Sequence, residues 1–175
     1  MQQKKEWCEM KILVLSDSHA SLSFMRLAIE KCKPNQVIHL GDHYDDGKAM
    51  AEENPHILFH QVPGNCDRYR CQFGAPDVMY YPIDGVMFFM THGHRHFVKS
   101  DLYGLLADAR KHNAQIALYG HTHRPDCHRE DDGLWVMNPG TCGTSGGSVG
   151  LIITENKEIS ACRILTQTEI LDITD

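Results

Sequence analysis

Apolar runs and polar breaks alternate along the first third of the chain in an order that predicts strand, helix, strand, helix, strand. Each predicted strand is a short apolar run that ends in a polar loop, and the three runs are 11–15, 36–40 and 57–62. Helical spacing of apolar residues extends from Leu22 to the break at Pro34, and a weaker helical pattern spans 47–53. Parallel strands of this kind place their loops at one edge of a sheet.

The rest of the chain is patterned mainly as hairpins. We expect strands at 78–81 and 86–91 around a turn at 82–85, a helix at 100–112 and a strand at 115–119. Four further runs are interpreted as antiparallel strands, at 126–130, 134–138, 148–154 and 158–166. Without a repeat or linker, 10–175 is one α/β domain. Residues 1–9 are expected to form an appended, disordered extension, because Met10 directly precedes the first strand.

Composition and charge restrict the functional classes. A formal net charge of -6 argues against a long nucleic acid as partner, since phosphate-backbone affinity comes mainly from clustered Lys and Arg. No apolar run approaches the roughly 20 residues of a membrane span, and the N-terminus has no apolar signal core. We therefore expect a cytoplasmic protein without a membrane partner, and the sequence leaves a homo-oligomer open.

The seven cysteines are scattered without regular spacing, as is typical of reduced thiols that mostly fill the core. Two pairings have zinc-ligand character, Cys66 with Cys71 and Cys127 with His128. Neither has a matching second pair at the spacing of a structural zinc site. A structural zinc site is therefore disfavoured.

Twelve histidines are the unusual feature of the composition, and several stand with Asp and Asn directly after predicted strands. These strand-end residues are Asp17, His19, Asp42, Asn65, His92, His121 and His123. Singly, each is more often a loop cap, a turn former or a hydrogen-bonded histidine. Two pairs have i, i+2 spacing, however, which directs both side chains to one side of an extended segment. Oxygen and imidazole ligands without thiolate favour Mn, Fe, Co or Zn.

Five short motifs in this order, SDSH, GDHYDD, GNCD, HGH and GHTH, resemble those of the calcineurin-like metallophosphoesterases. The resemblance spans Met10 to about Ile164 and is closest to the small bacterial and archaeal phosphodiesterases whose third motif is GNCD. Residues 138–141, NPGT, are similar to the NPGS loop of that group. The resemblance implies a four-layer α/β/β/α sandwich of two mixed β-sheets flanked by helices.

The resemblance also implies a binuclear metal centre. Its ligands would be Asp17, His19 and His123 for one ion, Asn65, His92 and His121 for the other, and Asp42 as the bridge between them. We expect two divalent ions, with Mn favoured and Zn, Fe, Co or Ni as alternatives. A metal-bridging hydroxide would then attack the phosphorus of a small phosphodiester in line. A nuclease is disfavoured by the net charge and by the lack of a basic or aromatic strip.

The residue that protonates the leaving group is less clearly indicated. In the phosphoprotein-phosphatase branch a His follows the Asn of the third motif and is thought to be the acid, whereas Cys66 stands at that place here. A thiol with a reference pKa of about 8.5 holds its proton at neutral pH. His94 is the alternative acid, or else a phosphate contact or a solvated loop residue. Asp67, with Asp45 as a weaker candidate, is expected to orient Asn65 or a histidine.

The His-to-Cys departure favours phosphodiesters, or esters with good leaving groups, over unactivated alkyl phosphomonoesters. The alternative from another class is a non-catalytic protein-interaction module, because a retromer subunit similar to this family keeps the fold but has lost part of its metal set. The presence of both His121 and His123 argues against that alternative.

Overall fold

The computed structural model describes residues 9–67, 74–143 and 146–174. Almost all of the expected N-terminal extension lies outside these residues, and so does Cys71 of the first cysteine pairing. In chain order, the elements are β1 (Met10–Leu15), α1 (Leu22–Cys32), β2 (Gln36–His39), α2 (Tyr44–Glu53), β3 (Leu58–Gln61), β4 (Val78–Ile83), β5 (Val86–Thr91), α3 (Tyr103–Lys111), β6 (Ile116–Leu118), β7 (Asp126–Arg129), β8 (Trp135–Asn138), β9 (Ser148–Glu155), β10 (Glu158–Thr166) and α4 (Gln167–Leu171).

The strands form two mixed five-stranded sheets. The first has the order β10-β9-β1-β2-β3, in which β1, β2 and β3 are parallel. The second has the order β4-β5-β6-β8-β7. With helices outside both sheets, this is the four-layer α/β/β/α sandwich implied by the resemblance, and that prediction is confirmed.

The expectation that the four late strands are all antiparallel is wrong for β8. Antiparallel pairing joins β7 to β8 and β9 to β10, but β8 runs parallel to β6, with Ala117 opposite Val136. The chain passes from β6 to the sheet edge, forms β7, and returns through a hairpin. The returning strand therefore enters the sheet in the same direction as β6.

The alternation of side chains along β1 creates two of the three apolar layers. Leu13 and Leu15 pack with residues of α1 and α4, whereas Ile12 and Val14 pack between the sheets with residues such as Phe88. A third cluster lies between α3 and the outer face of the second sheet. Successive side chains of a strand point to opposite faces, so one short run supplies both interfaces.

Three helices differ from the sequence interpretation, and one of them is α3, which begins at Tyr103 rather than at 100. Helix α4 was not predicted, although Thr166 and Glu169 form a capping box at its start, because five residues are too few for apolar periodicity to appear. Helix α2 begins at Tyr44 rather than 47, since the distant Asp67 carboxylate accepts hydrogen bonds from the backbone N–H groups of His43 and Tyr44. Among the described residues, no helix is long and apolar enough to cross a bilayer.

Disulfide trapping tests the face-to-face packing of the sheets. Cys127 on β7 and Cys162 on β10 belong to different sheets, and their Sγ atoms lie 3.3 Å apart. Diamide should therefore join them, which removes two hydrogen atoms and produces a cross-linked peptide that mass spectrometry detects. The same product is expected from Cys66→Ser and not from Cys127→Ser. Recovery of both cysteines in separate, unlinked peptides after oxidation of the folded protein would contradict this arrangement.

Candidate metal centre

Backbone and side-chain hydrogen bonds bring together the loops that follow β1, β2, β5 and β6. The Asp17 N–H donates to the Gly41 carbonyl oxygen at 3.0 Å, which joins the loops after β1 and β2. His92 Nδ1 donates to the Leu40 carbonyl oxygen at 2.8 Å, and the His121 N–H donates to Asp17 Oδ2 at 3.1 Å. The last two bonds cross from the second sheet to the first. The strand ends of both sheets therefore meet at one edge.

Four of the seven candidate ligands form one compact group. Ligand atoms of Asp17, His19, Asp42 and His123 all lie within 4.8 Å of one another. His123 Nε2 is 3.0 Å from Asp17 Oδ1 and 3.3 Å from His19 Nε2. Asp17 Oδ1 is nevertheless buried without a hydrogen bond from any residue that the structure describes. A divalent cation would compensate this orphaned carboxylate oxygen, so the donor set fits a metal ion.

The other candidates surround His92, whose side chain is fully buried. A carbonyl oxygen only accepts hydrogen bonds, so the contact with Leu40 fixes the proton on Nδ1. Nε2 then faces Asn65 Oδ1 at 3.1 Å and Asp42 Oδ1 at 3.5 Å. With the proton on Nδ1, a neutral imidazole has a lone pair on Nε2 that faces two oxygen atoms, and lone pairs repel one another. A cation bound by all three atoms would remove this repulsion. An Nδ1–H bonded to a backbone carbonyl is also the usual arrangement of a metal-ligating histidine.

The His121 side chain completes this second group. Its ring centroid lies 5.0 Å from that of His92. Burial, followed by electrostatic interactions with His92 and Lys99, lowers the pKa of His121 to about 4. The imidazole is therefore neutral near pH 7, which is the form that binds a metal ion.

Asp42 lies between the two groups. Burial raises the pKa of the Asp42 carboxyl group. Interactions with His92, with the N–H and thiol of Cys66 and with His19 together lower this pKa by more than burial raises it, so it ends below its ordinary value. The carboxylate is therefore ionised at neutral pH. One Asp42 side chain thus contributes to the compact group and also approaches His92, as a bridging ligand would.

The backbone of the centre is strained in a way that the sequence did not reveal. Five of the candidate ligands adopt left-handed φ values between 46° and 67°, namely Asp17, His19, Asp42, His121 and His123. Such a conformation costs roughly 1 kcal/mol or more for a residue with a Cβ, and it concentrates at functional sites. The backbone strain is therefore concentrated at the residues whose side chains converge.

Two glycines are required because of space rather than φ. A Cβ at Gly64 would overlap the Asp42 carboxylate, and a Cβ at Gly120 would overlap Ser16 Oγ. Both glycines directly precede a candidate ligand. Their absent side chains allow the ligand loops to approach one another closely.

The three residues considered for catalysis occupy different surroundings. The Cys66 thiol lies 3.3 Å from Asp42 Oδ2, and burial followed by the hydrogen bond and charge of Asp42 raises its pKa to about 11. It therefore keeps its proton near neutral pH. His94 lies beside the second group, with its ring centroid 5.4 Å from that of His92. Asp67 accepts hydrogen bonds from the backbone N–H groups of Gly64, His43 and Tyr44.

Asp67 therefore positions two loops rather than orienting the Asn65 amide or a histidine ring as expected. The weaker candidate, Asp45, is exposed and lies 3.4 Å from Lys48 Nζ. Its neighbour Asp46, which the sequence interpretation omitted, is buried and accepts hydrogen bonds from Ser18 Oγ at 2.7 Å and the Ala20 N–H at 2.8 Å. Asp46 thus holds the loop that carries Asp17 and His19.

The NPGT loop has a structural role that its sequence does not indicate. Asn138 Nδ2 donates to the Gly120 carbonyl oxygen at 2.9 Å, and Thr141 Oγ1 donates to the Asp17 carbonyl oxygen at 2.7 Å. The loop after β8 therefore fixes the loops that carry ligands from both sheets.

Comparisons with known proteins agree with this fold. The calcineurin-like phosphoesterase superfamily domain matches residues 10–157. The phosphodiesterase MJ0936 of Methanocaldococcus jannaschii is 33% identical over 171 residues, which covers 85% of this chain and 96% of that protein. A predicted phosphoesterase of Streptococcus pneumoniae superposes with a TM-score of 0.74 at 23% identity, covering 92% of this chain and 91% of its own.

A structure of Vps29 from Entamoeba histolytica in complex with zinc superposes with a TM-score of 0.64 at 20% identity, and this likeness concerns the fold alone. It covers 90% of this chain and 99% of the Vps29 chain. The family match spans most of the chain, and the matched residues include every candidate ligand. This chain belongs to the calcineurin-like phosphoesterase superfamily.

Proposed function

We propose that this chain is a phosphodiesterase with a binuclear metal centre. The observation that carries the proposal is the convergence of two ligand groups on the buried Asp42 carboxylate. Asp17, His19 and His123 would hold one ion, Asn65, His92 and His121 the other, and Asp42 would bridge them. The name of the Methanocaldococcus jannaschii relative supports diester hydrolysis.

Charge supports a phosphate ester as the substrate. Two divalent ions, when bound, supply Lewis acidity and a nucleophile derived from water. Only Asp17 and Asp42 among the seven proposed ligands carry negative charge, since Asn65 and the histidines are neutral donors. The centre therefore retains positive charge for a phosphate, although the chain has a net charge of -6. The mixture of oxygen and imidazole ligands favours manganese, with Zn, Fe, Co or Ni as alternatives.

The surroundings of the third motif favour substrates that need little help with the leaving group. The Cys66 thiol donates to Asp42, and its pKa is raised to about 11, so it is a poor proton donor to a departing alkoxide. His94 is the proposed contact with the substrate, because its ring borders those of His92 and His121. A good leaving group departs without protonation.

A non-catalytic protein-interaction module is the second candidate, and the fold-level likeness to Vps29 keeps it open. The full set of seven Asp, Asn and His ligands favours the enzyme. Metal affinity and turnover distinguish the two candidates.

We predict that His123→Ala weakens binding of the first metal ion by more than about 100-fold, because loss of even an outer partner of a metal site typically costs 10–100-fold. The side chain is exposed, so its removal should leave the fold intact. Isothermal titration with manganese measures the loss of affinity. The matched control is His56→Ala, at an exposed histidine that precedes β3 and belongs to neither ligand group. Equal affinities in the two variants would remove His123 from the centre.

We predict manganese-dependent hydrolysis of bis(p-nitrophenyl) phosphate. Asp42→Asn should lower kcat/KM by more than about 100-fold, since one substitution affects both ions. Release of p-nitrophenolate provides the assay, and circular dichroism verifies that the variant is folded. If the unmodified protein neither binds metal nor turns over this ester, the enzyme proposal fails.

We predict that Cys66→His improves hydrolysis of esters with poor leaving groups, because a positioned general acid typically contributes about 10²–10⁴-fold. The measurement compares kcat/KM for p-nitrophenyl and alkyl phosphate esters. His94→Ala, assayed in parallel, reports on the alternative acid. Should Cys66→His leave the preference among leaving groups unchanged while His94→Ala abolishes it, the acid belongs to position 94 instead.

A further inference from the structure

A surface cavity of about 390 Å³ adjoins the metal centre. Its lining residues are Val98, Lys99, Tyr119, Thr122, Arg124 and Asp126. Thr122 stands between the proposed ligands His121 and His123 in sequence, so the cavity and the centre share one loop. We refer to this space as the Lys99–Arg124 cavity.

The two basic residues of the cavity are available for a ligand. Lys99 and Arg124 are exposed, and within the described ranges neither side chain forms an ion pair with a carboxylate. The one acidic residue of the lining, Asp126, is engaged by the Tyr119 hydroxyl at 3.4 Å and by His128 Nδ1 at 3.0 Å. The wall therefore carries more positive than negative charge, in contrast to the chain as a whole.

Contacts with the ligand loops show how close the cavity lies to the centre. Thr122 belongs to the lining of the cavity and lies between His121 and His123 in the loop after β6. Val98 is buried and packs on Gly93, where a Cβ would overlap its side chain. Gly93 directly follows His92. The cavity thus adjoins the loops of both His92 and His121.

We propose that the Lys99–Arg124 cavity binds the alcohol portion of a phosphate ester that carries a second anionic group, with Lys99 and Arg124 binding that anion. The metal centre holds the ester phosphate, so the inference rests on the proposed function for this one contact. Thr122 and Tyr119 line the same cavity. The favoured substrate class is a small phosphodiester whose alcohol carries a terminal carboxylate or phosphate.

Binding of product analogues tests the proposal without requiring turnover. Isothermal titration of the manganese-loaded protein would compare 3-carboxypropyl phosphate with 4-hydroxybutyl phosphate, which match in length and differ in terminal charge. We expect the carboxylate to bind about tenfold more tightly, as for a pair of partly exposed charge-assisted hydrogen bonds. Propane-1,3-diyl bisphosphate tests a terminal phosphate in the same position and distinguishes the two anions.

The double variant Lys99→Gln/Arg124→Gln should reduce the affinity ratio of the carboxylate to the alcohol to near one. The control variant Arg26→Gln/Lys111→Gln removes the same number of positive charges, from α1 and α3 outside the cavity. It should keep the affinity ratio of the unmodified protein. Equal affinities in the unmodified protein, or a preference that survives in the first variant, would overturn the inference. A retained preference without hydrolysis of bis(p-nitrophenyl) phosphate would instead count against the proposed function and leave the anion site supported.

Discussion

The buried carboxylate of Asp17 joins the two sheets at the edge where the candidate ligands lie. Oδ2 accepts hydrogen bonds from Ser16 Oγ and from the backbone N–H of His121, which belongs to the other sheet. Oδ1 has no such donor among the described residues, although His123 Nε2 lies 3.0 Å away. A buried ionised group is costly unless it is compensated, so a cation at Oδ1 would stabilise both the charge and the contact between the sheets.

Strain and close approach at the centre depend on the rigidity of the sandwich. The left-handed backbone at a ligand such as Asp42 is unfavourable. The close approach of Gly64 to the Asp42 carboxylate would be disrupted by any added side chain. The apolar layer between the sheets, with Ile12, Val14 and Phe88 fully buried, holds the strand ends in place. The NPGT loop and Asp46 then fix the remaining freedom of the ligand loops. The geometry of the site therefore depends on the packing of the core.

Membership of the superfamily establishes phosphoesterase chemistry at the level of the family, while specificity depends on the surroundings of the centre. One fold hosts different functions, so the fold alone does not set the substrate. Here the net charge of -6 would repel an anionic substrate, whereas the lining of the Lys99–Arg124 cavity has two basic residues and one acidic residue, and two bound divalent ions would make the centre positive as well. Local charge, rather than the charge of the whole chain, governs which small anions approach.

The sequence by itself determined the α/β class and the positions of the candidate ligands, because both depend on local patterns, while the four-layer sandwich was an expectation from the resemblance. Short apolar runs marked the strands, and the polar residues after them, such as Asp17 and His92, had to lie at strand ends. Only the tertiary structure decided the parallel pairing of β6 with β8, the use of Asp67 to begin α2, and the choice of Asp46 over Asp45. It also brought Lys99 and Arg124 to one cavity. These outcomes depend on contacts between segments far apart in the chain, and residue periodicity carries no information about such contacts.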